Sequence, residues 1–156
     1  MEDRFRGLYE SPIGVVEIEA TRSEVTLVEF VKGRAPRAGS GSSPALDAAV
    51  RQLDEYFRGR RRVFELMLRL GGTEFQNQVW RALLDVGYGE TASYGEIARA
   101  VGRPKSMRAV GAANGRNPIS IIVPCHRIIG GSGDLTGYGG GLWRKAWLLS
   151  HERSRG

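Results

Sequence analysis

One cysteine and two histidines are all that the 156 residues offer of those two types. A single thiol excludes an intrachain disulfide, and three such residues are too few for the usual structural zinc sites. No apolar run approaches the ~20 residues that a membrane span needs. The opening Met1-Glu2-Asp3-Arg4 lacks the basic-then-apolar layout of a secretory signal, so the expectation is a cytoplasmic protein with no membrane partner. Internal repeats are absent, as are the G-x-S-x-G of many serine hydrolases and the Gly-Lys-Ser/Thr of a phosphate-binding loop. What is present suffices for a folded core, with 41% hydrophobic and 26% charged residues. The length suits one domain or two small lobes.

The net charge of +6 is unevenly placed. Residues 1–70 carry 12 Lys and Arg against 11 Asp and Glu, whereas residues 71–156 carry 11 against 6. Residues 97–133 hold Arg99, Arg103, Lys105, Arg108, Arg116 and Arg127 and no acid. A field of that sign draws in a polyanion, although a solvated basic face is the plain alternative. The Arg60-Arg61-Arg62 triplet reads as a solvated turn.

The N-terminal part alternates as strands. Gly14 to Glu19 and Val25 to Val31 are β-branched runs forming a hairpin or meander. Residues 32–43 read as a mobile loop. A helix opens at Ser43-Pro44, carries Leu46, Val50, Leu53 and Phe57 on one face, and ends at Gly59. Phe64, Leu66 and Leu68 suggest one more strand, and Gly71-Gly72 is the best domain boundary.

Beyond it the texture becomes helical. Thr73 with Gln76 and Ser93 with Glu96 form capping boxes ahead of two helices. Ser106 is placed to cap a third, from Met107 to about Asn114, and residues 93–114 then match a helix-turn-helix. That third helix is nearly bare of bulk (Ala109, Gly111, Ala112, Ala113), which permits close approach to the core or to a DNA groove. Ile119 to Val123 reads as a short buried strand ending at Pro124. Seven glycines among residues 130–141 suggest a flexible pocket wall, and a last helix carries Leu142, Ala146 and Leu149.

Cys125, at the end of the apolar run and beside His126, is the candidate nucleophile. A free thiol is only a few per cent ionised at neutral pH, so it needs a base or nearby cations. A carboxylate to orient the imidazole is wanted, and Glu152, Asp134 and Glu96 are the candidates by position. A buried inert cysteine is the plain alternative. His151, near a helix C-terminus, reads as an exposed or dipole-interacting histidine. Tyr94 and Tyr138 are able to stack on a base or donate a proton, although a packed aromatic with a satisfied hydroxyl is the commoner role for either.

Taken together the motifs are more specific. Arg108-Ala-Val-Gly111, Asn117-Pro118 and Ile121-Ile-Val-Pro-Cys-His-Arg127 resemble the signature of the O6-alkylguanine-DNA alkyltransferases. Thr73-x-Phe75-Gln76-x-x-Val79-Trp80, Ser93-Tyr94-Gly95-Glu96-Ile97-Ala98 and Trp147-Leu148-Leu149-x-His151-Glu152 are similar to the family in the same order. The resemblance is strong over about residues 73–152 and extends to the first 70 only in general layout. It implies an α+β fold, with a ribonuclease-H-like α/β lobe over 1–70 and a helix-turn-helix, winged-helix-like catalytic domain over 71–156. It implies repair of O6-alkylguanine in double-stranded DNA by a monomer without cofactor, the alkyl group moving irreversibly to Cys125; O4-alkylthymine is a second candidate substrate. By the same resemblance the protein sits with nucleoid or nuclear DNA and binds the minor groove.

The resemblance also implies roles. His126 takes the Cys125 proton through water and Glu152 orients His126. Arg108 is the finger that fills the space of a flipped base, and Ser93, Ala109, Gly111, Ala112 and Arg116 belong to the DNA surface. Tyr94 presses on the adjacent phosphate and protonates the leaving guanine. Asn117 ties the recognition helix to the active-site loop, Val123 and Cys125 offer carbonyls to the guanine amine, and Tyr138, Gly139 and Gly140 wall the pocket. Two departures stand out: the N-terminal lobe lacks ligands for the zinc some members carry, so no metal is expected, and Gly139 stands where a hydroxyl residue can occur. A related non-transferring class replaces the cysteine, commonly with tryptophan. A helix-turn-helix regulator and a cysteine hydrolase are the readings outside the family.

Overall fold

The computed structural model describes residues 3–154; Met1 and Glu2, the first two residues of the motif read for a secretory signal, lie outside the described residues. The chain divides into two compact units, Met1–Leu70 and Gly71–Gly156. The architecture is α+β.

In the first unit, β1 (Phe5–Ser11), β2 (Gly14–Ala20) and β3 (Val25–Phe30) form an antiparallel sheet in that order. Only β2 and β3 are expected from the periodicity. β1, FRGLYES, is half exposed and carries charge at both ends, so its alternation is faint and pairing with β2 defines it. Helix α1 (Pro44–Phe57) packs on this sheet and buries Leu46, Ala49, Leu53, Tyr56 and Phe57. Ser43 caps it, its hydroxyl accepting the Leu46 N–H at 3.2 Å, with Pro44 at the first helical position. The expected strand over 64–68 does not form. Only Leu68 bridges to Val25, and Met67 is 68% exposed.

Nor is the 32–43 segment loose. Glu17, fully buried on β2, receives Arg34 at 2.7 Å and the Arg37 guanidinium at 2.8 Å, and the Arg37 backbone N–H donates to it as well. The Arg34 bond foremost, then Arg37, hold the Glu17 carboxyl at about 2 against the pull of burial. A loop rich in glycine and serine is thus fastened by two arginines that composition presents as solvated.

The second unit contains α2 (Glu74–Leu84), β4 (Ala92–Ser93), α3 (Tyr94–Ala100), α4 (Met107–Gly115), β5 (Ile128–Ile129) and α5 (Leu142–Ser154). Both capping boxes are present, on Thr73/Gln76 and Ser93/Glu96. Gly72 precedes the first of them because a Cβ there would lie 2.6 Å from the Trp80 ring. Trp80 in turn donates its indole N–H to the Ala113 carbonyl at 2.8 Å, joining α2 to α4. α3 and α4 pack as the helix-turn-helix, although the Ser106 hydroxyl makes no cap bond. β4 and β5 pair in parallel, Ala92 with Ile128 and Ser93 with Ile129, so the start of α3 lies beside the chain that follows Cys125. No helix among the described residues is long and apolar enough to cross a membrane.

Residues 119–123 are not a strand. Ile119 to Val123 is buried throughout, but it turns: the Val123 N–H donates to the Ile119 carbonyl at 3.0 Å, and Ile121 has φ = 74°. That conformation costs a β-branched residue about 1–3 kcal/mol. The apolar run signals burial, and the reversal is imposed by what surrounds it.

Candidate active site

Cys125 opens a single 3-10 turn, Cys125–Arg127, directly after the strained 119–123 reversal and Pro124. Two asparagines hold this chain. Asn117 donates to the Val123 carbonyl at 2.8 Å while its own carbonyl accepts the Ile119 N–H at 2.9 Å. Asn114, buried at the end of α4, donates to the Cys125 carbonyl at 3.4 Å. The end of α4 and the loop after it are therefore joined to the main chain around Cys125 by side-chain amides at two points. The Val123 carbonyl also accepts the Cys125 N–H at 2.8 Å, and the Cys125 carbonyl the Ile128 N–H, so each of these oxygens already takes two protein donors.

The turn sends Cys125, His126 and Arg127 all into the interior, which an extended strand would not do. His126 Nε2 meets Glu152 Oε2 at 2.6 Å, and both side chains are fully buried. Arg127 grips the same carboxylate as a fork, Nε to Oε1 at 2.8 Å and Nη2 to Oε2 at 3.1 Å, and spends Nη1 on the Val86 carbonyl at 2.7 Å. The Gly89 N–H also donates to Oε1, at 3.3 Å. Burial alone would raise the Glu152 carboxyl; the bonds from His126 and Arg127 and the Arg127 charge outweigh it and hold it far below the carboxylate range. Burial pushes His126 down, so the imidazole is neutral, with Glu152 opposing the shift. A neutral imidazole beside a carboxylate carries its proton on Nε2. Nδ1 is then an acceptor, and it is buried and bonded to no protein atom among the described residues.

Cys125 itself is 4% exposed, and burial pushes its thiol up to about 11 despite a bond from Asn117 and the charge of Lys145. Lys145 is fully buried on α5, and its ammonium donates to the Thr136 carbonyl at 2.6 Å. Burial lowers its pKa and the nearby Cys125 charge opposes that. Tyr138 lies in the same pocket, its hydroxyl raised by burial foremost and then by Cys125. Tyr94, the first residue of α3, bonds through its hydroxyl to that of Thr136 at 2.9 Å.

The remaining predicted residues divide. Arg108, Ala109, Ala112 and Arg116 share the exposed side of α4, while Val110, Ala113 and Asn114 are buried. Gly111 belongs elsewhere: a Cβ there would sit 3.7 Å from the Tyr94 ring. Ser93 is occupied as the cap of α3, its hydroxyl 3.1 Å from the Glu96 N–H. Gly140 is buried with its carbonyl on Arg144 at 2.8 Å, and a side chain at Gly139 would meet open space. Of the three carboxylates eligible by position, Glu96 serves the capping box and Asp134 bonds Ser132, so only Glu152 reaches His126. His151 is buried and stacked on Trp147 at 4.9 Å, contrary to the exposed reading.

Comparison with known proteins identifies the family. The 6-O-methylguanine DNA methyltransferase family matches in both parts, its ribonuclease-like domain over residues 5–70 and its DNA binding domain over residues 74–154. The chain belongs to the 6-O-methylguanine DNA methyltransferase family. Among its relatives, the methylated-DNA–protein-cysteine methyltransferase of Mycobacterium tuberculosis (strain ATCC 25618 / H37Rv) is 50% identical over 149 residues, spanning 94% of this chain and 90% of that protein. The one from Methanosarcina acetivorans is 46% identical over 154 residues, spanning 96% and 99%. A crystal structure of the M. tuberculosis O6-methylguanine methyltransferase superposes with a TM-score of 0.90 at 46% identity, covering 99% of this chain and 95% of that one. A structure of M. tuberculosis OGT in complex with DNA gives 0.87 at 49% identity, covering 95% and 92%.

Three residues of the candidate site in this 6-O-methylguanine DNA methyltransferase family member escape a reading of the sequence. Arg127 ends a quoted motif and Asn114 ends the third expected helix, yet neither carries a sign of facing inward. Lys145 is absent from the expected apolar face of α5, which runs through Leu142, Ala146 and Leu149. Leu142 is in fact 49% exposed, and the buried face runs through Lys145, Leu148, Leu149 and Glu152.

The buried thiol has a measurable consequence. Pulsed alkylation of Cys125 by iodoacetamide is expected to keep rising with pH beyond 9.0, the value of an ordinary thiol, toward about 11. A rate that levels off below pH 9 would contradict the burial argument. Because the folded pKa is the raised one, the thiol's contribution to stability is intact below about pH 9 and is lost as the pH climbs toward 11, the unfolded chain ionising first.

Proposed function

We propose that this protein repairs O6-alkylguanine in DNA by moving the alkyl group onto Cys125, once per molecule. The observation that carries the reading is the buried Cys125–His126–Glu152 arrangement, in which His126 Nδ1 is left as an acceptor. The Cys125 thiol passes its proton through one water to Nδ1, and Glu152, held in place by Arg127, stabilises the imidazolium that results. The thiolate sulfur attacks the alkyl carbon in line with the C–O6 bond. That bond breaks with its electron pair remaining on the guanine, which takes a proton at N3 from Tyr94. Solvent then moves the guanine proton from N3 to N1 and returns the imidazolium proton to the Tyr94 phenolate, leaving a thioether and an unmodified guanine. No cofactor enters the balance.

A thiol held protonated until substrate arrives suits a protein that is consumed by its reaction. The same burial that raises the thiol keeps it from casual electrophiles. A target inside a duplex must leave the stack to reach such a site. The exposed side of α4, with Ala109 and Ala112 flanked by Arg108 and Arg116, suits close approach to a minor groove. Arg108 then occupies the place of the extruded base, and Tyr138, Gly139 and Gly140 enclose it beside Cys125. On this reading the protein works as a monomer, in the cytoplasm or nucleus with the double-stranded DNA it repairs; O4-alkylthymine is the second substrate to assay.

Arg108→Ala separates the two halves of the proposal. Holding a base out of the stack is a matter of a few kcal/mol, so the variant should slow repair of duplex O6-methylguanine by about 10²-fold. Its reaction with free O6-benzylguanine, which needs no extrusion, should change by less than about twofold. Equal losses on both substrates would remove Arg108 from the finger role.

A further inference from the structure

We infer that Thr136 is a positioning residue for proton donation by Tyr94, an inference that rests on the reading of Tyr94 as the acid that serves the departing guanine. Thr136 sits in the glycine-rich 130–141 segment, where few side chains are available to fix the backbone. Two bonds nevertheless hold it. Its carbonyl accepts from the buried Lys145 ammonium at 2.6 Å, and its hydroxyl lies 2.9 Å from the Tyr94 hydroxyl. Lys145 is anchored on α5 within electrostatic reach of Cys125, and Tyr94 begins α3 on the other side. The threonine thus joins the lysine beside the nucleophile to the phenol that serves the leaving group. Tyr94 is bounded again at Gly111, where a Cβ would lie 3.7 Å from its ring.

The direction of the bond follows from the chemistry. As sulfur bonds to the alkyl carbon and the C–O6 bond breaks, negative charge builds on the guanine and N3 draws the proton from the Tyr94 hydroxyl. The phenolic oxygen then gains charge, and the Thr136 hydroxyl is placed to donate to it. The phenolate regains a proton from water once guanine has left. A hydrogen bond to an oxygen that is becoming charged strengthens along the reaction, so it favours the transition state over the ground state. An exposed hydroxyl pair of this kind contributes little to folding, which makes the kinetic effect separable from stability.

The test is single-turnover alkylation of Cys125 by free O6-benzylguanine, followed by intact mass, in the full-length protein. T136V keeps the branched shape and the carbonyl to Lys145 while removing the hydroxyl; the saturating rate should fall about tenfold. The half-saturating concentration and the affinity for undamaged duplex should stay unchanged, and T136S should restore the rate. In a Y94F background T136V should add almost nothing. A T136V protein as fast as the parent, or one equally slowed with and without the Tyr94 hydroxyl, would overturn the inference while leaving the Tyr94 reading intact. A Y94F protein as fast as the parent would overturn both.

Discussion

Replacing Glu152 by Gln is expected to destabilise the folded protein by about 3 kcal/mol and to slow transfer to Cys125 by about 10²-fold or more. Glu152 is fully buried and is the acceptor for His126, for both arms of the Arg127 fork and for the Gly89 N–H. The amide keeps the shape but removes the negative charge, so the Arg127 guanidinium is left buried opposite a neutral group. Removing one partner of a buried pair costs far more than the pair is worth against a hydrophobic substitute. The kinetic loss has a separate origin. The carboxylate keeps the imidazole proton on Nε2 and steadies the imidazolium, and an amide can do neither reliably because it has a donor of its own.

The pH dependence distinguishes this account from simple loss of packing. Glu152 is held below its ordinary 4.5 in the folded state, so its stabilising contribution is present above that pH and disappears as the pH falls through the folded value. The stability gap between parent and Glu152→Gln, measured by urea unfolding, should be full near pH 7 and shrink in acid below about pH 4. A gap that is independent of pH would mean the variant suffers from shape alone. Far-UV circular dichroism of the folded variant separates the rate effect from unfolding.

How much of this was open to inspection in the sequence depends on whether the determining contact is local. Ser43-Pro44, Thr73/Gln76 and Ser93/Glu96 satisfy helix ends within four residues, and all three stand where the pattern puts them. β1 depends on a partner strand, and Ile119 to Val123 depends on Asn117 and Pro124 to turn it; neither is written in its own periodicity. Glu17 with Arg34 and Arg37 shows the same limit for charge, because counting arginines does not reveal that two of them fasten a loop.

The candidate site follows that rule too. Cys125 and His126 are adjacent in sequence and were legible as a pair, but only the 3-10 turn directs both inward. Glu152 lies 26 residues away and competed with two other carboxylates until the fold eliminated them. Lys145 and Arg127 were unreadable for a physical reason: a buried cation has no sequence signature apart from the partner that permits it. The partners here are a main-chain carbonyl in a glycine-rich segment and a carboxylate on the last helix.

The largest effect of all is expected at the thiol, since no other cysteine is available to accept an alkyl group. Cys125→Ser keeps a small side chain in the same pocket, but an alcohol is far less acidic than a thiol and a much weaker nucleophile, so transfer should be abolished. His126, Arg127 and Glu152 do not depend on the sulfur for their mutual bonds, and the variant should fold and retain its affinity for duplex DNA. The decisive measurement is the intact mass of the protein after incubation with duplex DNA containing a single O6-methylguanine. The parent should gain one methyl group in place of the thiol hydrogen, mapped to Cys125 by peptide fragmentation, in step with loss of the lesion, and Cys125→Ser should gain nothing. A parent that is folded and binds the duplex but keeps its mass would contradict alkyl transfer.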